Sequence, residues 1–132
     1  MQLLERVKHC NGCGACVVPC KHNAVKLFDR DSDEARDKAL ETVFEDFRSK
    51  GRRPLFEVNT GAMARGYRTT PYPSEETVRV IRDKGGSFII NSDCHRADLL
   101  DHGFREAGEL LKKTGYKSEL IDVPGGQLEI FE

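Results

Sequence analysis

Two side chains that bind divalent metals stand one residue apart at the end of a predicted strand. The apolar run Ser87–Asn91 leads directly into Ser92, Asp93, Cys94 and His95. In extended backbone, residues two apart point to the same side, so we expect Asp93 and His95 to converge while Cys94 turns away. A carboxylate oxygen and an imidazole nitrogen together suit divalent Zn, Mn or Fe. In the alternative interpretation, Asp93 caps the following turn and His95 is a surface residue.

Four of the five cysteines form a second candidate site near the start of the chain, at Cys10, Cys13, Cys16 and Cys20. This is the spacing of a bacterial ferredoxin run, and Gly12 and Gly14 would let the backbone fold closely around a [4Fe–4S] cluster. Lys21 stands where such a run usually has proline. Two alternatives stay open: a zinc site of four thiolates, or of three with His9 or His22, and an unliganded tail.

Composition excludes several classes of function. The chain has 132 residues, with 21 Lys and Arg against 22 Asp and Glu and a formal net charge of -1. This balance provides no broad basic field, so we expect no nucleic-acid partner. No apolar run approaches the roughly 20 residues of a membrane helix, and the first residues lack a signal-peptide pattern. We therefore predict a cytoplasmic protein without a membrane partner, in which reduced cysteines favour metal or cluster binding over disulfides.

Alternating helical and apolar segments predict an α/β fold of parallel βα units. A helix over 31–50 has Asp31 and Glu34 at capping-box spacing, and Gly51 ends it. Its apolar stripe consists of Ala39, Leu40, Val43, Phe44 and Phe47. The remaining predicted elements are a strand over 54–58, a long polar loop over 59–73, a helix over 74–84 capped by Ser74, a strand over 87–91, a helix over 103–114 and short strands over 120–122 and 127–131.

The organisation that follows is one globular unit preceded by a short segment. Residues 1–26 form the Cys-rich, ferredoxin-like segment, and residues 27–132 form the α/β region. In βα folds, reactive groups collect where strands end and loops begin, and the Asp93 motif occupies such a place.

Four blocks of sequence stand out between residue 27 and the end: LFEVNTGA at 55–62, RGYRTTPYPS at 65–74, Gly85-Gly86, and SDCH at 92–95. In the order and spacing of these blocks, the chain from about residue 27 resembles the C-terminal third to half of histidinol phosphatases of the polymerase and histidinol phosphatase (PHP) family. The resemblance implies a partial PHP-type βα barrel built from the C-terminal βα units. It also implies two or three divalent metals that activate water to hydrolyse a small phosphorylated metabolite, L-histidinol phosphate.

Carried over by position, the resemblance makes Asp93 and His95 metal ligands. It places Arg65 and Arg68 in the loop that meets the substrate phosphate, whose oxygens match the guanidinium fork. Of the two arginines, we favour Arg68 for this role. The alternative is that one of them is only a solvated loop residue.

Glu57 and Asn59 fall at the end of the preceding predicted strand, with their side chains on the same side. We expect Glu57 to orient a ligand or the substrate amine rather than to bind metal itself. A buried carboxylate without a partner is costly, so Glu57 must have one.

The family's other metal ligands, chiefly histidines, have no counterpart here, since the only further histidines are His9, His22 and His102. The chain therefore has the character of a fragment or a fusion, and self-association or a partner chain would complete its site. The competing hypothesis is an iron–sulfur electron-transfer or cluster-binding module.

Overall fold

The computed structural model of this protein describes residues 33–132. Contacts within the chain divide it after Lys38, and Ala39–Glu132 forms one compact unit. The predicted boundary after residue 26, the four clustered cysteines and the capping role of Asp31 lie outside the described residues.

The described chain is of the α/β class, as predicted. Its helices are α1 (Asp33–Ser49), α2 (Gly61–Ala64), α3 (Glu75–Asp83) and α4 (Phe104–Lys113), with a 3-10 turn at Ala97–Leu99. Its strands are β1 (Leu55–Asn59), β2 (Ser87–Asn91), β3 (Ser118–Val123) and β4 (Gly126–Phe131). The prediction of a long loop over 59–73 is wrong in part, because Asn59 ends β1 and the short helix α2 forms within the segment.

The four strands form one mixed sheet in the order β1-β2-β4-β3. β1 and β2 are parallel, as predicted, with α2 and α3 between them in the chain. The prediction of parallel units is wrong for the last two strands, because β3 and β4 pair antiparallel and β4 pairs antiparallel with β2. The turn at Pro124-Gly125 connects β3 to β4, and so short a connection can join only antiparallel strands.

The core lies between one face of the sheet and the helices. Three strand residues, Val58, Phe88 and Phe131, are buried against side chains from three helices. The helix side chains are Leu40 and Phe44 of α1, Val78 and Ile81 of α3, and Ala107 and Leu111 of α4. The predicted stripe on α1 is narrower than expected, since Ala39 is exposed. Gly86 allows this packing, because a Cβ there would lie 2.6 Å from Ile81 Cγ2.

Local end signals set the lengths of the helices. Ser74 caps α3 as predicted, since its Oγ accepts a hydrogen bond from the backbone N–H of Thr77 at 3.4 Å. Gly51 has a φ of 64° just beyond α1, and the N–H of Arg52 returns to the carbonyl of Phe47 at 2.9 Å. These are the bonds that satisfy the last carbonyls of a helix.

None of the helices within residues 33–132 has both the length and the apolar composition that a membrane span requires.

Candidate functional site

The candidate site lies where the parallel strands β1 and β2 end side by side. Asn59 and Asn91 are register partners, so the strand pleat places Glu57, Asn59 and Asn91 on the same face of the sheet. Glu57 Oε1 accepts a hydrogen bond from Asn59 Nδ2 at 2.6 Å, and Glu57 Oε2 accepts one from Asn91 Nδ2 at 2.9 Å. Glu57 and Asn59 share a side as predicted, and Glu57 has partners, although the burial from which a partner was predicted is wrong because Glu57 is exposed.

The partners of Glu57 are neutral amides, and within residues 33–132 its carboxylate forms no ion pair. Two amide donors hold both of its oxygens in place without neutralising their charge. The carboxylate is exposed, so a cationic group can approach it from solvent. We call Glu57, Asn59, Asn91, Arg65 and Asp93 the strand-end cluster.

Asp93 departs from the extended backbone that the sequence led us to expect. β2 ends at Asn91, and Asp93 has a φ of 46°, in the left-handed region. The rule that residues two apart point the same way therefore does not apply between Asp93 and His95. The Asp93 N–H donates to Asn91 Oδ1 at 3.3 Å, which ties this turn to the end of β2.

His95 lies on the exposed surface of the segment after β2. A carboxylate and an imidazole have the donor chemistry for Zn, Mn or Fe, but two protein donors are fewer than the three or four that such ions usually take. Within residues 33–132, no three His, Cys, Asp or Glu side chains are grouped closely enough to hold a metal ion. An ion bound by Asp93 and His95 would need further ligands from other residues.

Arg65 is the arginine of the strand-end cluster, where it contacts Asp93. It follows α2, and its Nη2 lies 3.6 Å from Asp93 Oδ2 while Nη1 donates to the Asp93 carbonyl at 3.5 Å. The two side chains are 41% and 50% exposed, so the pair is solvated and contributes little to stability. These long contacts leave Arg65 able to turn its fork towards an anion.

Arg68, the arginine favoured from sequence, has a different environment. Its guanidinium lies over the ring of Tyr72, 4.0 Å from the ring centroid, and its Nη2 donates to Thr70 Oγ1 at 3.3 Å. Together with Glu75 and Lys113 it lines a cleft of about 490 Å³. The structure therefore gives Arg65, and not Arg68, the contact with Asp93.

The turn after β1 packs closely against the turn after β2. Thr60 is fully buried, its N–H donates to the Asn91 carbonyl at 3.0 Å, and its Oγ1 donates to the His102 carbonyl at 2.6 Å. The N–H of Gly61 donates to Asn59 Oδ1 at 2.8 Å, and a Cβ on Gly61 would lie only 2.9 Å from the backbone oxygen of Ser92. This contact needs a residue without a side chain.

Sequence reasoning missed Asn91 and the close approach at Gly61. A signal for Asn91 was present, because parallel pairing of the two predicted strands in matched register would place it beside Asn59. The predicted cluster ligands Cys10, Cys13, Cys16 and Cys20 lie outside the described residues. Cys94 is a half-buried free thiol.

Comparison of the chain with protein-family models, with curated proteins and with solved structures finds no match in any of the three.

Proposed function

We propose that this chain belongs to a cytoplasmic, metal-dependent phosphomonoester hydrolase similar to histidinol phosphatase, acting on L-histidinol phosphate or a closely related small metabolite. The observation that carries the proposal is the strand-end cluster. Residues from three of the four sequence blocks that resemble the family meet there, at the carboxyl ends of neighbouring parallel strands. In the proposed fold, β1 and β2 with their helices are C-terminal βα units of a PHP-type barrel.

Arg65 is the phosphate-binding group in this proposal. It is permanently charged, half exposed and only loosely paired with Asp93. A phosphomonoester dianion offers two oxygens to the guanidinium fork and carries more charge than the single carboxylate, so it competes well for Arg65. Arg68, three residues further along the same loop, would contact a more distant part of the substrate.

Asp93 and His95 would hold a divalent ion through one oxygen and one nitrogen ligand. When bound, such an ion supplies a Lewis acid and lowers the pKa of a coordinated water. The remaining ligands would come from a second copy of the chain or from residues outside 33–132.

Glu57 supplies the opposite charge to Arg65 within the same cluster. Its two oxygens each accept one amide hydrogen and keep further acceptor capacity that faces solvent. A substrate ammonium group fits this acceptor, and the amides of Asn59 and Asn91 would hold the carboxylate in place as the substrate arrives.

Phosphate release from L-histidinol phosphate, with Mn or Zn added, tests the proposal. Asp93→Asn should lower the rate by about 100-fold or more, since loss of an indirect ligand partner already costs 10–100-fold. The matched control is Asp98→Asn, because Asp98 is an exposed aspartate that pairs with Arg96 at 2.7 Å. This variant should release phosphate at the wild-type rate. Absence of phosphate release with either metal, or an Asp93→Asn variant as active as the wild type, would refute the proposal.

A second candidate function rests on the spacing of Cys10, Cys13, Cys16 and Cys20. If these thiolates bind a [4Fe–4S] cluster, the chain is an electron-transfer or cluster-binding module. An anaerobic preparation should then be brown, contain iron and acid-labile sulfide, and lose its colour in Cys13→Ala but not in Cys94→Ala. A colourless preparation without iron would remove this candidate.

A further inference from the structure

We propose that Asn91 is a positioning residue that sets the geometry of both Glu57 and Asp93. Its amide bridges the ends of the two parallel strands, donating to Glu57 Oε2 at 2.9 Å and accepting from the Asp93 N–H at 3.3 Å. The catalytic consequence rests on the proposed function, whereas the geometric claim is independent of it.

The chemistry of the two partners requires an amide at this position. An ionised carboxylate can only accept, and a backbone N–H can only donate, so the bridging group needs a donor and an acceptor. An aspartate at 91 would keep the acceptor but face Glu57 with a second negative charge. A serine hydroxyl is too short to span both contacts. The two partners also determine which way the amide points.

The backbone at Asp93 depends on the same amide. A non-glycine residue with a φ of 46° is unfavourable because its Cβ crowds the neighbouring carbonyl. A side-chain oxygen that accepts from the N–H two residues on forms an Asx-turn, which offsets that cost. Losing the Asn91 oxygen should therefore let Asp93 relax towards a negative φ and carry its carboxylate away from Arg65.

Asn91 contributes little to the core, since its side chain is exposed. Substitutions of exposed residues change the free energy of unfolding only slightly. A structural role alone therefore predicts an Asn91 variant with nearly unchanged stability and an unchanged Asp93. A positioning role predicts instead a large change at Asp93 with little change in Tm. This difference separates the two interpretations.

A charge-exchange double variant gives the sharpest test. Asn91→Ala, which removes both contacts, should weaken Mn²⁺ binding by about 10–100-fold, the range for a residue that orients a metal ligand. Glu57→Gln combined with Asn91→Asp restores every donor–acceptor pair, because the introduced amide donates to the introduced carboxylate and still accepts from Asn59. We expect the double variant to keep most of the wild-type Mn²⁺ affinity.

The matched control is Asn59→Asp, which places the same charge change beside Glu57 on β1. It keeps the acceptor for the Gly61 N–H and makes no bond to Asp93. NMR couplings measure the φ of Asp93 in each variant. This φ should stay positive in Asn59→Asp and in the double variant, and it should become negative in Asn91→Ala.

The outcomes distinguish this inference from the proposed function. If the wild type neither binds Mn²⁺ nor releases phosphate, the proposed function fails, and the φ of Asp93 in the same variants still tests Asn91. A positive φ at Asp93 in Asn91→Ala, or a double variant whose Asp93 is no closer to wild type than that of Asn91→Ala, overturns the positioning role.

Discussion

Arg65 and Arg68 lie three residues apart, yet they have different surroundings. Arg65 contacts Asp93 loosely, whereas Arg68 is held over the Tyr72 ring. The Arg68 guanidinium is restrained by the ring and already donates to Thr70 Oγ1, whereas a guanidinium in a solvated pair can turn and exchange one anion for another. The surroundings therefore favour Arg65 as the phosphate ligand.

Substituting each arginine by lysine separates their roles. Arg65→Lys should raise the KM for the phosphorylated substrate by about 10–100-fold, because lysine cannot offer two parallel donors and a hydrogen bond to a charged group contributes roughly 1.5–3 kcal/mol. Arg68→Lys should raise KM by less than threefold. Steady-state kinetics at saturating metal measure both, and a larger effect at Arg68 would contradict this assignment.

Tyr116 is the residue whose ionisation should limit stability in alkali. Burial raises the pKa of Tyr116 from 10.0 to about 12, and its hydroxyl donates to the Gly86 carbonyl at 2.9 Å. The folded state thus keeps its phenol proton at a pH where the unfolded chain has lost it. This contribution is fully present below about pH 10 and is lost as the pH rises from about 10 to 12.

In Tyr116→Phe this alkaline loss should disappear. The variant should also be about 1 kcal/mol less stable at neutral pH, because the Gly86 carbonyl loses its donor. Thermal unfolding between about pH 7 and about pH 12 measures both effects. Tyr67→Phe is the control, since Tyr67 is 77% exposed and its removal should leave the pH profile unchanged. A Tyr116→Phe profile parallel to the wild type would exclude this origin.

The turns after β1 and β2 are held together by a contact that tolerates no side chain. Gly61 faces the Ser92 carbonyl, and a backbone oxygen cannot move aside as the end of a flexible side chain can. An added methyl group should therefore push the two strand ends apart. The cluster depends on this distance, because Glu57 on β1 bonds Asn91 on β2.

Gly61→Ala should destabilise the fold by about 1–3 kcal/mol, the cost of overpacking, and should lower phosphate release without removing any polar group. Gly108→Ala is a matched control, since Gly108 lies within α4 and a Cβ added there would meet no other group within 4 Å. That variant should gain about 0.5–1 kcal/mol from helix propensity. Urea unfolding measures both changes, and a Gly61→Ala variant as stable as Gly108→Ala would exclude the steric origin.

The sheet has an apolar face that the described helices leave part exposed. Ile89 and Ile130 alternate with the core residues Phe88 and Phe131, so the pleat turns them to the opposite face, the face of Glu57. A metal ion at Asp93 and His95 would also need further ligands. We expect a second copy of the chain to cover this face and to help complete the site.

Sedimentation velocity over a range of concentrations should therefore show self-association. Ile130→Lys should weaken it by placing a charge in the contact. The control is Leu120→Lys, because Leu120 is 62% exposed and pairs with Glu129, on the other face from Ile130. A strictly monomeric wild type, or equal effects of the two variants, would contradict this assembly.

Features governed by neighbours in the chain follow from the sequence. The apolar run and its flanking glycines predicted β2 at Ser87–Asn91, and Ser74 with Gly85-Gly86 predicted α3 to within a residue at each end. The shared side of Glu57 and Asn59 follows from the two-residue period of any strand. In each case the residues that carry the signal lie within a few positions of the structure that they specify. The structure can therefore be predicted without knowing which strand pairs with it.

Features governed by distant segments required the folded chain. The antiparallel pairing of β4 with β2 depends on strands about 40 residues apart, and local patterns carry no register between them. The left-handed backbone at Asp93, the contact of Arg65 with Asp93, and the Asn91 bridge all arise where two turns pack together. Side-chain type determines what a residue can bond, whereas packing between the turns selects which partner it meets.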